Sequence, residues 1–206
     1  KKIKVIYYGI DNFYIQYLIS KKNKAMISKK NIIFGYVGRL VKQKNIDFIL
    51  KSYKLFCDKN PNIDALFIIC GNGPERSYLK LFVKNLGLRK NVIWLGHTKY
   101  VGNVMKKIDV LCMNSNFEGL GLVMLEAMAF NKPIIAPKIS AFPEVVINRF
   151  NGLLVKKNDI KGYSIAMSKM INNKFRNRLS KNSNKLLFEK FNFHKMINKT
   201  NYIYKN

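Results

Sequence analysis

Short runs of nearly unbroken apolar residues recur along this chain, and stretches of helical period separate them. The runs are IIFGYV at 32–37, ALFIIC at 65–70, VIWL at 92–95, DVLCM at 109–113, PIIA at 133–136 and GLLV at 152–155. A strand with one wet face alternates apolar and polar residues. These runs do not, so each must be covered on both faces. Between them, 45–58 places Ile46, Ile49, Leu50, Tyr53 and Phe56 at helical spacing, with Asn45 as a candidate N-cap. Helical patterns follow at 75–86, ending at Gly87, and at 99–107, 121–130, 142–147 and from 158 to near the C-terminus. Strand–helix alternation of this kind predicts an α/β fold, a doubly wound, Rossmann-like parallel sheet. Ligands of such a fold bind at the carboxyl ends of the strands, in the loops that follow them.

The 206 residues suffice for one well-buried domain and are too few for two full ones. The organisation expected is an N-terminal strand (IKVIYY, 3–8) and linker segment over 1–30, with the polar, irregular 9–30 read as a linker or an interrupted helix, then a Rossmann-like domain over 31–173 and C-terminal helices over 174–206. The basic start KKIKVIYYGID is followed by no long apolar core, and no signal peptide is read there. The longest nearly apolar stretch, Gly119 to Phe130, is too short for a bilayer, which needs roughly 20 residues. Cys57, Cys70 and Cys112 are far apart, with no Cys-x-x-Cys spacing, and read as buried reduced thiols.

A formal net charge of +27 points to an anionic partner. The lysines are scattered through a chain rich in Lys, Asn and Ile, so the charge does not name the anion. Nucleic-acid binding would need exposed aromatics interleaved with basic residues on one face. The aromatics here sit at core spacing, and no nucleic acid is expected.

Four loops after strands carry the unusual residues. In Gly38-Arg39-Leu40-Val41-Lys42-Gln43-Lys44, the glycine permits a tight turn. Arg39 and Lys44 can grip one anion from both ends, a fork and a point charge suited to a diphosphate, although a basic loop alone can be mere solvated surface. Gly71-Asn72-Gly73-Pro74-Glu75 fits either a strand-to-helix turn or a close approach of backbone to a ligand. In Glu118-Gly119-Leu120-Gly121 the glycines open a helix whose free N–H groups form an anion site. Glu118 lies before that helix and Glu126 on its second turn. Two carboxylates so placed can hold hydroxyl groups on two parts of one ligand. Only 11 acidic residues occur in the whole chain, which makes two at one glycine-rich turn conspicuous. Pro137 to Glu144 forms the fourth loop.

In this order the loops resemble the C-terminal domain of the GT-B glycosyltransferases, family 4 (group 1) in particular. VIYYGID at 5–11 is similar to the family's "pNGxD" segment, with Tyr8 where Asn is usual. VGRLVKQKNID at 37–47 resembles "xGRLxxxKGxD", and ICGNGPE at 69–75 resembles "GxGPE". VIWLGH at 92–97 matches "VxFxGx", and Asn114 through Ala129 resembles "PSxxEGFGLVxLEAMA", with Leu120 in place of Phe. FPEVV and NGLLV at 142–155 match the closing "xPEVV…NGxLV", with Ser140-Ala141 where two glycines are usual.

The resemblance implies roles. Arg39 and Lys44 would neutralise the donor diphosphate, and the N–H groups of Leu122 and Val123, after Gly121, would hold phosphate oxygens. Glu126 would bind the ribose and Glu118 the transferred sugar. Leu95, Gly96 and His97 would line the base pocket, helped by Gly71 and Gly73 of the 71–75 loop. Arg39, Lys44 and Glu118 are thus the catalytic candidates. No metal and no cofactor are implied; the donor substrate is a UDP-sugar or GDP-sugar. The activity implied is that of a retaining hexosyltransferase in polysaccharide biosynthesis, acting on a glycan or lipid-linked acceptor. The acceptor-binding N-terminal domain would precede residue 1, and the C-terminal helices cross back onto it in the family. The alternative reading is an inactive nucleotide-sugar-binding module, or a subunit that needs a separate acceptor domain. A cytoplasmic location is expected, and the basic surface is compatible with peripheral contact at the inner face of the cell membrane.

Overall fold

The computed structural model describes residues 3–19 and 30–205. Six parallel strands form one sheet: β1 (Ile32–Val37), β2 (Ala65–Cys70), β3 (Val92–Gly96), β4 (Val110–Cys112), β5 (Ile134–Pro137) and β6 (Gly152–Val155). Their spatial order is β3-β2-β1-β4-β5-β6. From β1 the chain winds outward through β2 to β3, then returns to lay β4 on the other side of β1. That reversal between β1 and β4 is the topological switch point.

Burial follows from the strand compositions. Every residue of β2 is buried, whereas β3 at the edge is only partly covered. Helices α2 (Ile46–Lys59), α3 (Arg76–Asn85) and α7 (Ile160–Lys169) cover one face, where Phe34, Tyr53, Phe56 and Phe67 pack together. Helices α4 (Val101–Met105), α5 (Leu122–Ala129), α6 (Phe142–Val145) and α8 (Asn173–Lys190) cover the other, around Ile68, Leu111, Leu125 and Leu187. The Tyr163 hydroxyl of α7 bonds the carbonyls of Met113 and Ile135, each at 3.1 Å, and so ties the ends of β4 and β5 to the helix layer. The Asp109 carboxylate accepts the Ile33 N–H at 2.8 Å and fixes the register of β4 on β1.

Two expectations need correction. Residues 3–8 belong to no strand: Ile3 is 94% exposed, and the segment's single bridge is Ile10 with Asn192. Tyr and β-branched residues give the run strand character, but the sheet here has no edge that takes it. Second, Asn45 does not cap α2 with its side chain. A 3-10 turn at Lys42–Lys44 leads into it, and Asn45 takes a left-handed conformation, φ 50°, at the junction. Asn tolerates that region better than most residues. The 9–30 segment, for which a linker or an interrupted helix was expected, contains the helix α1 (Asn12–Tyr17), capped by the Asp11 carboxylate on the Tyr14 N–H at 2.7 Å. The rest of that reading, 20–29, lies outside the described residues.

The C-terminal helical pattern resolves into α7, α8 and α9 (Phe193–Lys205). α8 packs on α5 and gives Leu186 and Leu187 to the core, while α9 buries no residue. No described helix is long and apolar enough to cross a membrane.

Candidate functional site

The switch point opens a cleft of about 420 Å³ at the carboxyl ends of β1 and β4. That is within the usual range for small-molecule sites. Two stacked loops form one wall. Gly38 N–H donates to the Cys70 carbonyl at 3.0 Å and Leu40 N–H to the Asn72 carbonyl at 2.9 Å, while Glu75 N–H returns to Leu40 at 3.0 Å. A Cβ on Gly71 would stand 1.8 Å from the Gly38 carbonyl oxygen, and one on Gly73 2.3 Å from that of Leu40. Both glycines therefore allow loop to lie on loop. Gly71 borders the cleft and Gly73 does not. The buried Tyr36 hydroxyl donates to the Arg39 carbonyl at 2.8 Å, setting the backbone from which Arg39 reaches the cleft. Arg39 forms no ion pair among the described residues.

The opposite wall carries the acidic pair. Lys44 Nζ lies 2.6 Å from Glu118 Oε2, and both side chains are largely buried, at 18% and 13% exposure. Ser115 Oγ donates to the same oxygen at 3.0 Å. Oε1 of Glu118 is left without a protein partner among the described residues. Ser140, φ 50°, accepts the Glu118 N–H at 3.2 Å and donates to its carbonyl at 2.7 Å. The Gln43 side chain bonds the Phe117 carbonyl and its own carbonyl accepts the Asn116 N–H, each at 2.8 Å, so the basic and acidic loops are latched together.

α5 starts at the mouth of the cleft. Gly121 precedes it at φ 68°, and no side chain caps the helix. Leu122 and Val123, its first residues, line the cavity. The helix's positive end therefore faces the hollow, which suits an anion. One turn on, Glu126 is 7% exposed and accepts a 2.6 Å bond from the Tyr14 hydroxyl of α1. Burial pushes its carboxyl above the usual range, and the Tyr14 bond pulls it back in part. Tyr14 itself is raised, first by burial and then by the carboxylate it bonds.

Of the base-pocket candidates, His97 lines the cleft, alongside Thr98 and Val101, which the sequence did not single out. Leu95 and Gly96 do not. Leu95 is 37% exposed. The Gly96 carbonyl accepts the Gly71 N–H at 2.7 Å, which makes it a support of the 71–75 loop. Arg39, Lys44, Glu118 and Glu126 thus share one hollow with the open end of α5. Tyr14, Ser115, Ser140 and Gln43 hold that arrangement; the last three lie in loops that the sequence singled out, but their bonding partners are set only by the folded loops. Among the described residues no group of three or more His, Cys, Asp or Glu side chains is placed to hold a metal ion.

The fold is that of a Rossmann-like half of a GT-B glycosyltransferase. The chain matches the model of the family "Glycosyl transferases group 1" over residues 19–186 and belongs to that family. It is 32% identical over 208 residues to the UDP-Gal:alpha-D-GlcNAc-diphosphoundecaprenol alpha-1,3-galactosyltransferase of Escherichia coli, covering 98% of this chain and 54% of that protein. The C-terminal domain of the group 1 glycosyl transferase LpcC from Francisella tularensis superposes with a TM-score of 0.72 at 26% identity, covering 91% of this chain and 96% of that one. The UDP complex of Anabaena HepE gives a TM-score of 0.84 at 22% identity, over 98% of this chain and 57% of that one, and shows the shared fold. The chain spans about half the length of the curated relatives it matches first.

Proposed function

We propose that this chain is the donor-binding half of a retaining, metal-independent glycosyltransferase that takes a sugar from a UDP-sugar. One observation carries the reading: a guanidinium, an ammonium, an open helix N-terminus and two carboxylates line a single cleft at the switch point. A pyrophosphate fits between Arg39 and the first N–H groups of α5, where dipole and cation favour negative charge. Glu126, one turn deeper, takes the ribose hydroxyls, with the base toward His97. Glu118 presents its free Oε1 to the transferred sugar.

Lys44 has two suitors. Paired with Glu118, it holds that carboxylate in place. As the glycosidic bond breaks, the departing β-phosphate gains charge, and the same ammonium can share it. Cations aimed where charge develops lower the barrier without reorganising. The acceptor then attacks on the face the leaving group vacates, with retention. UDP is favoured over GDP because relatives and neighbours carry uridine nucleotides in their names, the galactosyltransferase and the HepE complex among them. A glycan or lipid-linked acceptor would be bound by a further domain of the kind that completes the longer relatives, and the basic surface fits peripheral contact with an acidic membrane.

Titration calorimetry with UDP and GDP tests the reading. UDP should bind, GDP should bind more weakly, and Arg39→Ala should weaken UDP by at least about tenfold, as expected for a charged hydrogen bond lost. No heat with either nucleotide would refute it.

A further inference from the structure

The phenol of Tyr14 is 112 residues away in sequence from the carboxylate it bonds, and it reaches that carboxylate from outside the cleft. Tyr14 lines an adjoining cavity of about 360 Å³, bordered by Tyr8, Phe13, Tyr17 and Phe193. Leu122 separates the two hollows and touches both. The Tyr14 bond goes to Oε1 of Glu126. Oε2 has no protein partner among the described residues, and Glu126 borders the cleft. A carboxylate has about four acceptor positions on two oxygens, so one donor from behind leaves the front free.

The segment that carries Tyr14 is docked, not draped. Ile10 N–H donates to the Phe191 carbonyl at 3.1 Å, and the Leu18 carbonyl accepts the Gly102 N–H of α4 at 2.9 Å. Ile10 and Leu18 are 4% and 3% exposed. A Cβ on Gly9 would stand 2.5 Å from the Asn192 backbone, so the chain there lies directly on the start of α9. Between these anchors the Asp11 cap fixes the first turn of α1 and hence the height of the tyrosine.

From this arrangement we infer that Tyr14 is a positioning residue for the donor: it holds Oε1 of Glu126 so that Oε2 faces the ribose hydroxyls of the bound nucleotide. The inference rests on the proposed assignment of Glu126 to the ribose. A buried carboxylate that lacks a donor tends to take up a proton. Among the described residues, Tyr14 is the donor that counters burial at Glu126. Without it, the side chain would lose both its fixed orientation and part of its charge. Specificity for ribose would then be set jointly by α5 and by a segment before β1.

The test measures Kd for UDP and for 2′,3′-dideoxy-UDP on the chain, on Tyr14→Phe and on Glu126→Gln. Phenylalanine keeps the ring and its packing, so the fold should be retained with a loss of at most a few degrees in melting temperature. Tyr14→Phe should weaken UDP about tenfold, the scale of one hydrogen bond to a charged group, and leave dideoxy-UDP unchanged. Equal losses for both nucleotides would mean a merely structural tyrosine and overturn the inference. So would unchanged or tighter UDP binding, the mark of a phenol that competes with the ribose. Failure of the underlying assignment looks different: the unsubstituted chain would then bind both nucleotides alike, and Glu126→Gln would leave UDP untouched.

Discussion

At Glu126 two requirements oppose each other. The ligand calls for a charged acceptor, and burial disfavours charge. Its folded carboxyl is raised above the unfolded value, so the ionised side chain subtracts stability at neutral pH, and the cost is relieved as pH falls through the folded pKa. Glu126→Gln keeps an oxygen for Tyr14 and removes the charge, so it should raise the melting temperature at neutral pH while weakening UDP. Each kcal/mol recovered appears as about 2–4 °C in a chain of this size. UDP affinity of the unsubstituted protein should fall on acidification before an ordinary glutamate would protonate. Comparing its pH profile with that of Glu126→Gln cancels the nucleotide's own titration, and coincident profiles would contradict the argument. At the other carboxylate, Lys44→Ala should weaken UDP by about tenfold, read by titration calorimetry. Residue identity made Arg39, Lys44, Glu118 and Glu126 legible, because charge and spacing are written in the chain. Tyr14 was not legible, and Ser140 was noted only as a departure from glycine: what each bonds appears only when the fold supplies its partner.

Among the elements, loop glycines that look alike in sequence do different work. Gly71 lies at φ 147° with the Gly38 oxygen 1.8 Å from any added Cβ, whereas Gly119 has nothing within 4 Å. Gly71→Ala should cost more than about 2 kcal/mol in urea denaturation, from clash and strain combined. Gly119→Ala should be nearly neutral. Equal effects would mean that the two loops do not stack as described. The strands were legible wherever burial on both faces forced an apolar run, as in β2. IKVIYY misled because strand propensity registers a side chain's fit to a pleated surface, and no neighbouring strand was there to supply one. The 3-10 turn before α2 was invisible for a similar reason. It exists to bring Lys44 against Glu118, a contact between loops and not a local preference.

For the molecule as a whole, binding and folding are linked. UDP at about a hundredfold over its Kd should add about 2.7 kcal/mol, or about 5–10 °C in melting temperature. With a net charge of +27, the affinity should drop severalfold as salt rises from about 0.05 M to about 0.5 M, while uridine, which carries no charge, should be indifferent. A salt-independent UDP affinity would remove the cations from the account. The parting of the chain on either side of β1 has a consequence of its own. The hollow there comes from the direction in which successive strands are laid down, so it does not depend on any one side chain. A descendant that lost its charged residues would keep the vacancy and its access to solvent. It could acquire a different ligand by substitution at the rim alone, with the open sheet of six strands and its two helical coats left intact.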